Sequence, residues 1–366
     1  MNEYEEIQKE LIWFDEDDPN SPPPSDEDKL FWISSDNPKN PFNDFIGNNN
    51  AVKRLKRAAF TAFGRYNRCC NDQNFALLGP PSTGKTTLAR KFAQLIGIPF
   101  IEINPVSIKK PRDLLVEISR ICENIDGKYL DYLEYTLELI PSDKDYFTLP
   151  PMVVFIDEVH SLSDSMVQAL LKATEQNDRM FVTDNGWHVD CNNVCWIIAT
   201  TDRGKLFDAF DTRFTKIILN PYTREEISEI IKNKFPQWEQ SACDLIAHFC
   251  HSSPREALAF AKEVAMEVVM SNEDIEYVIK KVAEENDIDK FGMTKQRLNI
   301  LMLLKEHKNI SKSRLSQMLS CKDDELEKYI MPPLIISTED LPLVKIDNKG
   351  FSLTDAGLEA LSKRNL

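Results

Sequence analysis

Eight residues constrain this chain more than any others. Gly79-Pro80-Pro81-Ser82-Thr83-Gly84-Lys85-Thr86 fit the pattern G-x-x-x-x-G-K-[ST], between a short apolar run, Phe75 to Leu78, and an amphipathic segment from Lys85 to Ile96. A loop of this composition between a buried strand and a helix turns consecutive backbone N–H groups, and the positive end of the helix, toward an anion. The expected ligand is ATP with Mg2+: Gly79, Pro80, Pro81, Ser82, Thr83, Gly84 and Thr87 wrap the phosphates, Lys85 reaches the outer ones, and the Thr86 hydroxyl ligates the metal ion.

The residues around the loop say what sheet it belongs to. Apolar runs at Phe75–Leu78, Pro99–Ile103, Met152–Ile156, Val194–Thr200 and Lys216–Leu219 alternate with helical patterns at Lys85–Ile96, Arg112–Ile125 and Asp164–Glu175. Runs such as Val153-Val154-Phe155-Ile156 have no polar alternation, which is what a parallel sheet covered on both faces requires. The expectation is an α/β fold, a doubly wound parallel sheet. One run ends in Asp157-Glu158. At a strand's carboxyl end beside a phosphate loop, Asp157 would hold Mg2+ through water and Glu158 would deprotonate the attacking water. On its own the pair would be a surface turn; with the loop it predicts hydrolysis.

From the capping box Thr223-Arg224-Glu225-Glu226 to about Glu285 only helical patterns occur, predicting an all-helical second domain. Helical patterns at Lys295–Glu306, Lys312–Leu319 and Asp324–Ile330 then precede a hairpin, Leu343–Ile346 and Phe351–Leu353 around Asp347-Asn348-Lys349-Gly350, which is the winged-helix order. The expected domains are 1–40, an acidic disordered tail; 41–221, a large ATPase domain; 222–288, a helical lid; and 289–366, a winged helix.

Charge qualifies the choice of partner. The net charge is −15 over 366 residues, yet Met1 to Gly47 alone holds 13 acidic residues against 3 lysines, leaving only −5 for the rest. An acidic total therefore does not exclude DNA. Within the tail, Ile7, Leu11, Ile12, Trp13 and Phe14 could form a short docking turn, against the plainer reading of a solvated arm. No apolar stretch is long enough to span a bilayer and the N-terminal run is acidic, so a cytoplasmic protein is expected. The 8 cysteines read as reduced and packed; Cys191 with Cys195, and Cys243 with His248, Cys250 and His251, are placed more like packing residues than metal ligands.

The motifs together resemble an AAA+ ATPase. The phosphate loop, Ile156-Asp157-Glu158-Val159-His160, Ala199-Thr200-Thr201-Asp202-Arg203, Asp211-Thr212-Arg213-Phe214, Asn220-Pro221-Tyr222-Thr223 and Ser253-Pro254-Arg255-Glu256-Ala257 follow one another in that superfamily's order. Within it the chain looks like the RuvB family of Holliday-junction branch-migration motors, from Phe42-Asn43-Asp44-Phe45-Ile46-Gly47 through Gly292-Met293-Thr294 and Tyr329–Ile335. The resemblance implies sensor 1 at Thr201, an arginine finger at Arg213 that reaches a neighbouring subunit, and sensor 2 at Arg255 beside Pro254. It also implies that Phe45, Ile46 and Tyr222 border the adenine, and that Lys345 and Lys349 touch DNA phosphates. For either arginine the plainer reading is a surface ion pair. The partners implied are further copies of the chain in a ring, hexameric in the family, double-stranded or branched DNA, and a RuvA-like adaptor; no membrane is implied.

Where the chain departs from the family pattern, Ser82 replaces a loop glycine, 127–149 reads as an insertion, and the hairpin Met180 to Cys191, turning at Asp184-Asn185-Gly186, reads as shortened. The acidic run Asp323-Asp324-Glu325-Leu326-Glu327 would repel phosphate, so DNA contact should be sequence-blind and salt-sensitive. The alternatives are an ATP-gated loader or regulator acting on a protein through the winged helix, and a non-catalytic subunit of a mixed ring.

Overall fold

The computed structural model describes residues 25–62, 73–122, 146–149, 151–176, 178–183, 186, 188–201, 208–250, 253–326, 330–335, 342–347 and 350–364. Residues 1–24 with the Ile7–Phe14 segment, most of 127–149, the turn at Asp184-Asn185, and Asp202, Arg203, His251, Tyr329 and Lys349 lie outside the described residues. The chain divides into two compact units: 1–79 with 84–219, and 80–83 with 220–366.

The first unit is built on a parallel sheet of 5 strands in the order β2-β4-β7-β1-β8. The strands are β1 (Phe75–Leu78), β2 (Phe100–Ile103), β4 (Met152–Ile156), β7 (Val194–Thr200) and β8 (Thr215–Ile218). Successive side chains of a strand face opposite ways. Ala76, Leu78, Val154, Ile156, Trp196 and Ile198 accordingly join one core, with Leu114, Ile118, Met166 and Leu170 of α4 (Pro111–Cys122) and α5 (Asp164–Ala173). Phe75, Leu77, Val153, Phe155 and Ile197 join the opposite one, with Leu55, Ala59, Leu88 and Phe92 of α2 (Asn49–Ala62) and α3 (Lys85–Ile96). Both faces are covered, as the unbroken apolar runs demand.

The boundary set at residue 40 is corrected. Residues Asp26–Ile33 form a helix, α1, opened by a reciprocal capping box between Ser25 and Asp28. The Trp32 indole donates to the carbonyl of Leu95 at 2.9 Å, and Trp32 and Ile33 pack against the sheet's second core. Asn37 and Asn40, each 3% exposed, donate to the carbonyls of Trp32 and Ile33 while accepting from the N–H groups of Lys39 and Phe42. Lys91 then fastens Asp44 and the carbonyl of Pro41, both at 2.5 Å. Residues 25–47 thus belong to the first unit, and the polar asparagines that read as tail are its buried turn-formers.

The insertion also contributes structure at its end. β3 (Tyr146–Thr148) pairs in parallel with β6 (His188–Asp190), which pairs antiparallel with β5 (Met180–Val182). The expected hairpin is therefore present, widened into a 3-stranded sheet. Buried Arg179 pins its base, donating to Asn74 Oδ1 at 2.8 Å and to the carbonyl of Val194 at 3.0 Å.

In the second unit the capping box at Thr223 and Glu226 forms as read and opens α7 (Arg224–Lys234). With α8 (Gln240–Cys250), α9 (Pro254–Ser271) and α10 (Ile275–Glu285) it encloses a core of Ile227, Ile231, Ile246, Phe260, Val264 and Ile279. Next come α11 (Lys295–His307), α12 (Lys312–Met318), the short α13 (Asp323–Glu325) and α14 (Pro332–Ile335), the antiparallel hairpin β9 (Val344–Asp347) and β10 (Gly350–Leu353), and α15 (Asp355–Ser362). The helices-then-hairpin order is the expected one; residues 327–329 of the helix read at Asp324–Ile330 lie outside the described residues, and α15 was not foreseen.

The junction before α11 is tight. The Asp289 carboxylate accepts from the N–H groups of Phe291 and Met293 and pairs with Arg364. Burial alone would raise its pKa, but these donors outweigh that and hold it below the ordinary carboxylate value. Gly292 has φ +77, and a Cβ there would lie 2.4 Å from the His248 carbonyl oxygen. Gly292→Ala is expected to cost about 2 kcal/mol or more, through left-handed strain and the clash together. Calorimetry should register a drop of several degrees in Tm.

Candidate active site

The sheet's strand order places three chemically distinct ends side by side. In register, Leu78 at the end of β1 lies beside Thr200 at the end of β7, and Ile156 of β4 beside Ile198 of β7. Gly79 continues the ladder, its N–H donating to Thr200 O at 3.3 Å. The phosphate loop, Asp157-Glu158 and Thr201 therefore all emerge at the carboxyl edge of adjacent central strands, the place where ligands bind in sheets of this kind.

The loop fits a polyphosphate by its backbone. Ser82 and Gly84 have φ +61 and +84, so left-handed residues interrupt the run and turn N–H groups inward. Gly84 caps α3 without any side-chain hydrogen bond, leaving the helix's first donors to an anion. The Ser82 departure is tolerated because the position contributes main chain, at the strain cost of a non-glycine residue with positive φ. Lys85 is 7% exposed, and its ammonium donates to the Gly79 carbonyl at 2.9 Å. Thr86 is half-buried and Thr87 exposed on the first turn of α3. A hydroxyl at Thr86 and a carboxylate at Asp157 are the hard oxygen donors that Mg2+ takes.

Glu158 is the most tightly held member. It has φ +49, a left-handed conformation that a non-glycine residue adopts only where its surroundings enforce it. Its Oε1 accepts from Thr201 Oγ1 at 3.0 Å; its Oε2 accepts from the Thr201 N–H at 3.1 Å and lies 3.2 Å from His160 Nδ1. His160 Nδ1 is also 2.9 Å from Thr200 Oγ1. Asp157 accepts from the N–H of Glu158 at 3.0 Å. Sequence reading gave Glu158 and Thr201 separate roles, the base and sensor 1, and the two side chains meet. It gave His160 and Thr200 no role, although both stand inside the quoted motifs; only the tertiary approach of β4 and β7 brings the imidazole to the carboxylate.

Phe45 and Ile46 are half-buried in the first unit, with Phe45 against the core that holds α3. Arg213 follows α6 (Asp208–Asp211), is 28% exposed, and meets Glu175 of its own chain at 3.7 Å. Within the single chain this is a long contact between partly solvated groups.

In the second unit Tyr222 is 3% exposed and part of the helical core. Pro254 is the first residue of α9, and Arg255, in the same first turn, is exposed. A cation at a helix N-terminus is disfavoured by the helix dipole, so its placement there suits an arginine kept for an external anion. Lys345 is exposed on β9. The cysteines weighed as ligands are core residues: burial pushes the Cys191 and Cys250 thiols up to about 12. Among the described residues no His, Cys, Asp or Glu cluster could hold a metal ion.

Comparison with known proteins adds the lineage. Residues 75–222 match the ATPase family associated with various cellular activities (AAA). The Holliday junction branch migration complex subunit RuvB of Campylobacter hominis is 27% identical over 310 residues, covering 80% of this chain and 82% of that protein. The subunit of the same name from Mycoplasmopsis synoviae is 25% identical over 340 residues, covering 89% and 97%. Among solved structures, the Thermotoga maritima RuvB Holliday junction branch migration motor superposes with TM-score 0.66 at 21% identity, covering 90% of this chain and 98% of that one. A point variant of that protein gives TM-score 0.69 at 23% identity, covering 89% and 97%.

Proposed function

From a chain that is a RuvB-like AAA+ ATPase, we infer a motor that hydrolyses ATP in a ring of its own copies to drive branch migration of double-stranded DNA. The observation that carries the chemistry is the convergence of Lys85, Glu158 and Thr201 at neighbouring strand ends.

In this reading the backbone N–H groups from Ser82 to Thr87 and the Lys85 ammonium bind the β- and γ-phosphates of ATP, while Gly79, Pro80 and Pro81 shape the turn. Thr86 and Asp157 would hold Mg2+, which when bound neutralises charge on those phosphates. Glu158 accepts a proton from water as the water oxygen bonds to the γ-phosphorus and the bond to the β-phosphate oxygen breaks. Thr201 orients the carboxylate and the water. Arg213 of one protomer enters the next protomer's site, and Arg255 reports nucleotide state to the lid. Both present a fixed guanidinium fork to charge that grows during transfer. By the resemblance, Phe45, Ile46 and Tyr222 border the base.

The reading continues to DNA through the relatives, which are branch-migration subunits, and through Lys345, exposed on β9, with Lys349 two residues after that strand in the sequence. A RuvA-like adaptor is a further partner in the resemblance, and the shortened Met180 to Cys191 hairpin, at the place of the family's partner-binding hairpin, counts against its docking here. The loader or regulator alternative has no counterpart among these relatives. Duplex and four-way-junction DNA are expected to stimulate ATP turnover several-fold, the effect fading with added salt. With a slowly hydrolysed ATP analogue, gel filtration should show the chain alone moving to ring mass. Absence of any DNA stimulation would remove the motor reading.

A further inference from the structure

We propose that His160 is a positioning residue for ATP hydrolysis, holding the Glu158 carboxylate against Thr201 and, when the site turns over, releasing it to the water while Thr200 keeps the imidazole partnered. The inference rests on the reading of Glu158 as the base. It concerns a residue to which no role has been given above.

The geometry has two halves. On one side, Thr201 grips Glu158 by its hydroxyl at 3.0 Å and its N–H at 3.1 Å. On the other, a single ring nitrogen of His160 stands 3.2 Å from Glu158 Oε2 and 2.9 Å from the hydroxyl of fully buried Thr200. The His160 side chain is itself only 12% exposed and sits on the 3-10 turn Val159–Ser161 that starts at left-handed Glu158. Rotation of the imidazole is therefore limited, and the carboxylate is fixed from both flanks.

A base engaged by the Thr201 hydroxyl and N–H and flanked by His160 is well aimed but a weaker acceptor of a further proton, because donors already occupy much of its lone-pair capacity. Turnover requires one oxygen to leave the grip. A nitrogen with no other partner would be orphaned by that movement, and a mostly buried orphan is costly. Thr200 removes the penalty: its hydroxyl both donates and accepts, so it satisfies Nδ1 in either tautomer once Glu158 swings to the water. The pairing of Thr200 with His160 thus makes the hold on the base reversible.

The experiment measures steady-state ATP turnover of the assembled protein, with kcat and KM separated, for His160→Ala, His160→Asn, Thr200→Val and Thr200→Ser. His160→Ala should lower kcat about tenfold to a hundredfold, the size expected when a catalytic group is kept but mis-aimed, with KM for ATP little changed. His160→Asn offers an amide N–H at similar reach and should recover most of the rate. Thr200→Val should lower kcat and Thr200→Ser should not, which keeps the test usable if a histidine variant folds poorly. Wild-type kcat in His160→Ala, equal impairment in Asn and Ala, or a change confined to KM overturns the proposal. Loss of the underlying reading has a different signature, namely retained turnover in Glu158→Gln.

Discussion

Glu158→Gln leaves the protein able to bind ATP and unable to turn it over. Glutamine is nearly isosteric, and an amide oxygen in the place of Oε2 can still accept from the Thr201 hydroxyl and N–H, which both lie 3.1 Å from that atom. The left-handed backbone at φ +49 needs no adjustment, because the Cβ substituents are unchanged. What disappears is the proton acceptor. General-base catalysis contributes about a hundredfold to ten-thousandfold, so kcat should fall by at least two orders of magnitude. The phosphate-binding parts, Lys85 and the loop amides, are untouched, and equilibrium binding of a fluorescent ATP analogue should stay within about twofold. Turnover at the wild-type rate would show that another group takes the proton. The same outcome would favour reading Glu158 as a structural residue whose contacts with Thr201 and His160 merely brace the edge of the sheet.

The parts of the site that were legible from sequence are those whose chemistry dictates local spacing. A phosphate cradle must be short, glycine-bearing and placed between strand and helix, so Gly79 to Thr86 announces both its fold and its ligand. The buried strands Val153–Ile156 and Trp196–Ala199 were equally plain, since two covered faces leave no polar alternation to confuse them. What was missed depends on partners distant in sequence. Asn37 and Asn40 look like linker residues until their amides are seen to satisfy carbonyls beneath Trp32. A strand of 3 residues at Tyr146 is invisible without β6, some forty positions later, to pair with. His160 stands in a motif read for its carboxylates, and nothing in the spacing shows that its Nδ1 would meet both Glu158 and Thr200. Local chemistry is written in order along the chain, whereas long-range hydrogen bonds are specified only by the packing that the core imposes.

Arg213→Ala should abolish hydrolysis with nucleotide affinity nearly intact, because the residue is read as completing a neighbour's site. Arginine fingers are worth about a thousandfold or more in kcat, acting on charge that exists only during phosphoryl transfer. In the single chain the guanidinium is 28% exposed and rests on Glu175 at 3.7 Å. A partly solvated pair of this length is worth little, and a planar guanidinium fork suits a phosphate of the adjoining protomer better. Arg213→Lys should fare scarcely better than Ala, since an ammonium lacks the planar fork. The decisive measurement mixes two dead proteins. Glu158→Gln retains the finger and lacks the base; Arg213→Ala retains the base and lacks the finger. If adjoining copies build each site, about a quarter of interfaces in a randomly mixed ring join an intact base to an intact finger, and ATPase activity returns. If each chain holds its own complete site, every site in the mixture carries one lesion and no activity returns. Restored turnover on mixing therefore assigns Arg213 to the neighbour's nucleotide, and a silent mixture places it at its own, which a single-variant assay cannot distinguish.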